Sequence, residues 1–169
     1  MFVLGIDPGL SRCGYGVVTP RPGGLGAVGG GVIVTDPSDP LPERLFTLHR
    51  ELVALVSEFR PAAVVVERVF FQVNAHTAMA TGQAGGVALV AAAQSGCEVA
   101  QYTANEVKQA LVGYGSATKE QVQRMVASVL GIPEPPRPPD VADALALAVC
   151  HLSSQPLRRA VAAAAGGPA

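Results

Sequence analysis

Phe2-Val3-Leu4-Gly5-Ile6-Asp7-Pro8-Gly9 opens the chain with an unbroken apolar run, then an acid, then a turn. Such a run has no polar face, so it reads as a strand covered on both sides, with Asp7 at its C-terminal end. Pro8-Gly9-Leu10-Ser11 is turn chemistry, and residues 13–19 read as a second strand coming back. The glycine-rich Arg21-Pro22-Gly23-Gly24 leads to a third strand near 25–35. Strands joined this tightly predict an antiparallel meander.

The periodicity then changes. Leu45, Leu48, Leu52, Leu55, Val56 and Phe59 fall on one face of a helix that must stop before Arg60-Pro61. Residues 64–67 read as a fourth strand closing on Glu67, 75–95 as a long helix ended by Gly96, and 98–102 as a fifth strand. Thr103-Ala104-Asn105-Glu106 and Thr118-Lys119-Glu120-Gln121 are capping boxes that start two more helices, the first running through Val112 and the second ending at Gly131. After the proline-rich 132–139 a last helix is expected over about 140–152. The Ala/Gly-rich 156–169 reads as a frayed or disordered tail, leaving one domain over 1–155. Three hairpin strands followed by alternating helices and strands predict an α/β fold. It is a five-stranded mixed sheet flanked by helices, in the order of the ribonuclease H-like arrangement.

Composition narrows the class of function. The chain has 169 residues, a formal net charge of −1 and an apolar content of 49%, enough for a real core. The longest apolar stretch, 85–93, falls short of the ~18 residues of a membrane span. No basic leader precedes the first strand, and Cys13, Cys97 and Cys150 are scattered and odd in number. Both features predict a reduced, cytoplasmic protein. A near-neutral charge does not advertise nucleic-acid binding, so any DNA-binding surface must be local.

Asp7 and Glu67 end predicted strands, and Asp140 and Asp143 open a predicted helix. Each has an ordinary explanation alone. Asp-Pro-Gly makes a good turn, a Glu at a strand end is often just solvated, and acids three apart are common at helix starts. Together they offer hard oxygen ligands for Mg²⁺ or Mn²⁺, and a cation pair ~3.5–4 Å apart stabilises the attacking and leaving oxygens of phosphoryl transfer. That is the chemistry of a nuclease.

The motifs Gly5-Ile6-Asp7-Pro8-Gly9, Gly14-Tyr15-Gly16, Glu67-Arg68-Val69-Phe70, Asn74 and Gly82-Gln83-Ala84-Gly85-Gly86-Val87 come in a distinctive order. They are followed by Val107-Lys108-Gln109, Val112-Gly113-Tyr114-Gly115-Ser116-Ala117 and Asp140-Val141-Ala142-Asp143-Ala144-Leu145. In this order, over roughly 1–151, the chain closely resembles the bacterial RuvC family of Holliday junction resolvases. The resemblance implies a homodimeric, Mg²⁺-dependent endonuclease that nicks a four-way DNA junction symmetrically and works with the RuvA–RuvB branch-migration complex. By position it makes Asp7, Glu67, Asp140 and Asp143 the acidic catalytic set, Lys108 and Lys119 the functional lysines, and Phe70 a base-contacting aromatic. Two Mg²⁺ per site are expected, with Mn²⁺ able to substitute and Asp7 bridging.

Composition adds a clue about the lysines. The chain has ten arginines but only two lysines, Lys108 and Lys119. A sequence this partial to arginine would put arginine at generic basic positions, so a compact ammonium beside a reacting phosphate explains the exceptions. Their ordinary reading is two surface lysines near helix starts. Phe70 beside the acids suits stacking on an unpaired base, whereas Phe71 is expected to pack inward. Arg68 and Asn74 are candidate DNA contacts, and for Arg68 a plain surface charge explains the position nearly as well. His49 and His151, without companion ligands, are assigned structural or solvent roles, and His76 a helix start. An actin-like phosphotransferase shares the core sheet, but it needs a second lobe that a chain of this length does not supply.

Overall fold

The opening run forms β1 (Val3–Asp7), the central strand of the sheet. Four of its five residues are fully buried because helices cover both faces, which is why no polar alternation shows in the sequence. β2 (Arg12–Arg21) and β3 (Gly24–Val34) complete the antiparallel meander, with Asp7 paired to Gly14 and a register shift between Val17 and Val18. On the other side β4 (Ala63–Glu67) runs parallel to β1, and β5 (Glu98–Tyr102) parallel to β4. The order β3-β2-β1-β4-β5 is the mixed five-stranded sheet expected. This computed structural model describes residues 1–68 and 75–165, the side chains of 75, 76 and 156–165 excepted.

Helices form two layers. α1 (Leu41–Phe59) and α2 (Ala75–Gln94) cover one face, where Leu48, Leu52 and Val56 of α1 pack with Leu4, Ile6, Val64, Val66 and the alanines of α2. α1 stops where the Arg60-Pro61 pair requires, with Arg60 in the left-handed region at φ 44° and its N–H on the Val56 carbonyl. α3 (Ala104–Val112), α4 (Lys119–Leu130) and α5 (Pro139–Ala165) cover the other face around Val3, Val65, Val126 and Leu145. Both capping boxes are formed as expected: Thr103 and Glu106 satisfy each other's backbone N–H groups, as do Thr118 and Gln121.

Helix α5 departs from expectation. It starts at Pro139, where proline's fixed φ suits a first turn, and runs to Ala165, past the end anticipated at Leu152. The stretch from Pro156 expected to fray is helical through Ala165. Pro156 forfeits one N–H, and the alanines after it are the best helix formers available. Among the described side chains, the buried core contributed by α5 ends at Leu152. Truncation after Gln155 should therefore leave the melting temperature and cleavage nearly unchanged, and a loss of many degrees in a thermal melt would show that the final turns dock.

Candidate active site

β1, β4 and β5 are parallel, so Asp7, Glu67 and Tyr102 come out at one edge of the sheet, with Glu67 paired to Tyr102 in the ladder. The crevice beyond the carboxyl ends of parallel strands is where open α/β sheets place ligands. α5 brings Asp143 there, with Asp140 beside it, because the strands under it carry glycine. At Gly5 an added Cβ would run into the Ala144 carbonyl, and at Gly14 into the Asp140 carbonyl. The helix thus lies directly on the backbone of β1 and β2, and its first turn is held against Gly14, the residue of β2 paired with Asp7.

The result is a pocket of about 330 Å³ lined by Asp7, Glu67, Asp143, Lys108 and Lys119, with Val107, Val122 and Leu147 as its apolar wall. Sequence reasoning anticipated all five polar members. The side chains of Asp7 and Glu67 share a hydrogen bond. Burial, reinforced by repulsion from Glu67 and Asp143, pushes the Asp7 carboxyl up to about 8. Burial and the Asp143 charge raise Glu67 as well. Two carboxylates at this separation do not both ionise readily, so the pair holds a proton at neutral pH unless positive charge arrives.

Cations already occupy the other two acids. Lys119 Nζ lies 2.6 Å from Asp143 Oδ2 and keeps its ammonium charged above the ordinary lysine range. Asp140 lies outside the pocket lining. Its Oδ2 is 3.0 Å from Arg12 Nη2, and the guanidinium holds its carboxyl below the usual aspartate range. Among the described residues no three acidic, imidazole or thiol groups stand close enough to hold an ion as placed. The donor set nonetheless suits a hard divalent cation: it is all carboxylate, and burial raises its two innermost members despite the nearby Lys119 charge. An ion held by all four acids would compete with these two pairs.

Other candidates fall elsewhere. Arg68 is exposed beyond β4, its N–H on the Tyr102 carbonyl and its charge near Glu106. Phe70, Phe71 and Asn74 lie outside the described residues, as does the His76 side chain. His49 Nε2 bridges α1 to Gln94 of α2 at 3.1 Å. His151, expected to be structural or solvent-facing, is fully buried, with Nδ1 3.3 Å from the Tyr102 hydroxyl and Nε2 3.4 Å from Gln155. Arg12 was not anticipated, because nothing in local spacing links it to an acid 128 residues away.

The family profile described as "Crossover junction endodeoxyribonuclease RuvC" matches residues 3–151. The chain is 54% identical over 166 residues to the protein of that name from Salinispora arenicola, covering 98% of this chain and 95% of the relative. It is 49% identical over 154 residues to the one from Syntrophomonas wolfei, covering 91% and 90%. The Thermus thermophilus RuvC structure superposes with a TM-score of 0.86 at 40% identity, over 94% of this chain and 97% of that one. The same protein in complex with Holliday junction substrate matches with a TM-score of 0.84 at 39% identity, over 93% and 96%. The yeast mitochondrial Holliday junction resolvase Ydc2, at 13% identity and TM-score 0.67, shares the fold. With the profile spanning β1 to the buried part of α5, the chain belongs to the RuvC family of crossover junction endodeoxyribonucleases.

Proposed function

We propose that the protein resolves four-way DNA junctions by paired phosphodiester hydrolysis, with Asp7, Glu67, Asp140 and Asp143 holding the divalent cations. The observation that carries this reading is the pocket at the carboxyl ends of the parallel strands, where Asp7, Glu67 and Asp143 meet Lys108 and Lys119. Two Mg²⁺ held by these acids, or Mn²⁺ in their place, would supply a nucleophilic water at neutral pH and charge stabilisation for the leaving oxygen. The protein's own groups do the rest. Asp7 and Glu67 would hold the ions as carboxylates, their proton passing to solvent, and α5 presents Asp143 from its first turns. Lys119, released from Asp143, stands ready with Lys108 to offset charge building on the phosphate. The apolar wall of Val107, Val122 and Leu147 limits water beside the reacting group. The decisive assay compares Mg²⁺-dependent cleavage of a four-way junction with duplex DNA and structured RNA. Equal rates on all three would overturn junction specificity.

A junction needs two related cuts, and the described residues of this domain form one carboxylate pocket, so a two-fold pair is the working species. α2 offers the surface for it. Met79, Gly82, Gly86 and Val90 are exposed along one stripe, and a Cβ at Gly82 or Gly86 would meet nothing within 4 Å. A second copy can approach that face closely, backbone against backbone. Sedimentation should give a dimer at micromolar concentration, and a monomer that stays monomeric on a junction it cuts in pairs would rule this out. Cooperation with a RuvA–RuvB branch-migration complex and a cytoplasmic location complete the reading. In keeping with it, no helix among the described residues is long and apolar enough to cross a membrane.

Phe70 follows Glu67 by three residues and is assigned to a splayed junction base. Phe70→Ala should remove ~1–3 kcal/mol of stacking, slowing nicking by about tenfold or more with little change in melting temperature. Severe unfolding with normal specific activity in the folded fraction would make Phe70 a core residue instead.

A further inference from the structure

Arg12 sits between two features of different character. On one side it pairs with Asp140 across the start of α5. On the other it borders a cleft of about 570 Å³ together with Arg44, Ser11, Thr81 and Gln83. That cleft begins at Gly9, two residues after Asp7, and lies between the Gly9–Arg12 loop, the start of α1 and α2. Arg44 is fixed at its edge, with Nε 3.0 Å from Thr35 Oγ1 and Nη2 2.6 Å from Ser11 Oγ. A DNA strand carries a charge every ~3.4 Å of axis, so one with its reacting phosphate at Asp7 places neighbouring phosphates against side chains bordering the pocket. The net charge of −1 demands that the positive surface be local, and this cleft concentrates two of the ten arginines.

We propose that Arg12 alternates between Asp140 and a phosphate of the junction strand lying in this cleft, so that cation loading and strand binding reinforce each other. This rests on the metal site assigned above. The guanidinium pairs with Asp140, as Lys119 pairs with Asp143. A divalent cation that recruits Asp140 displaces Arg12, and the freed fork is suited to bidentate phosphate binding. The exchange is easy because the pair is partly exposed, its side chains 50% and 24% accessible, and such pairs hold weakly. It is directed because Gly14 lets β2 press against Asp140, so Arg12 and the helix start keep a fixed relation. By linkage, whatever the cation does for strand affinity the strand does equally for cation affinity. Arg12 is thus a positioning residue for Asp140 and a cation delivered to the substrate only when the site is loaded.

The test uses Ca²⁺, an oxygen-seeking divalent probe, with wild type, Arg12→Gln, Arg12→Lys and Asp7→Asn. Calorimetry without DNA gives the Ca²⁺ affinity, and junction affinity is measured with and without Ca²⁺. Arg12→Gln should bind Ca²⁺ about threefold to fivefold tighter than wild type, since its competitor is gone. Its gain in junction affinity on adding Ca²⁺ should shrink by a similar factor, and Arg12→Lys should restore most of that gain. Unchanged or weaker Ca²⁺ binding by Arg12→Gln overturns the proposal. Tighter binding with undiminished coupling also overturns it, reducing Arg12 to a plain counterion. Asp7→Asn separates the two levels: if it binds Ca²⁺ as well as wild type does, the metal site itself is misassigned. If it loses Ca²⁺ while Arg12→Gln behaves as wild type, only the alternation fails.

Discussion

Asp7→Asn should abolish nicking in Mg²⁺, by about 10³-fold or more, while the folded protein still binds a junction. The substitution keeps the shape of the side chain and removes the anion on which Glu67 and Asp143 both bear. It has a second, opposite consequence for stability. Burial pushes the Asp7 carboxyl up to about 8 in the folded chain from its ordinary value of 3.8, so the native state binds its proton more tightly than the unfolded one. The resulting stabilisation is complete below about pH 4 and is lost as pH rises through about 8. An amide needs no proton. In EDTA at pH 8–9 the variant should melt roughly 5 °C above wild type, and the gap should close as pH falls toward 4. A dead enzyme that is more stable than its parent is hard to explain by misfolding. Full nicking by Asp7→Asn would remove it from the metal site, and equal melting across the pH range would mean that its carboxylate is not strained.

The same burial explains why so much of the site was legible. Asp7 and Glu67 end strands whose apolar runs mark them as central, and parallel pairing then puts both at one edge. Thr103 and Thr118 announce their helices by reciprocal capping, a local pattern complete within four residues. What was not legible depends on packing between distant segments. The Arg12–Asp140 pair exists because Gly14 admits α5 against β2, and neither residue's neighbours in sequence hint at the other. Asp140 lies outside the pocket that Asp7, Glu67 and Asp143 line, although strand ends, the helix start and the resemblance set all four acids together. For His151 the sequence left a structural and a solvent role both open, and the choice between them is made by Tyr102 and Gln155, which give its ring partners inside the core. The end of α5 was missed because proline and glycine suggested a break, whereas a run of alanines sustains a helix after one missing N–H.

Gly5→Ala should be the most damaging single methyl in the chain. The added Cβ would fall inside contact of the Ala144 carbonyl, 3.0 Å from its carbon and 3.1 Å from the Ala148 nitrogen. All three are backbone atoms, so no rotamer change relieves the clash, and α5 must lift off β1. Lifting it opens the packing of Leu145, Ala148 and Val149 against Val3 and Val65, which costs about 2–4 kcal/mol and about 5–10 °C in a thermal melt. It also withdraws Asp143, the residue before Ala144, from Asp7. Nicking measured well below the melting transition should therefore fall much further than the folded fraction does. Gly24→Ala is the control: its Cβ would meet nothing within 4 Å, and it should melt like wild type or slightly higher. Should Gly5→Ala match that control in both melting and nicking, α5 is free to slide on the sheet. The close approach of helix to strand would then not be what positions the acids.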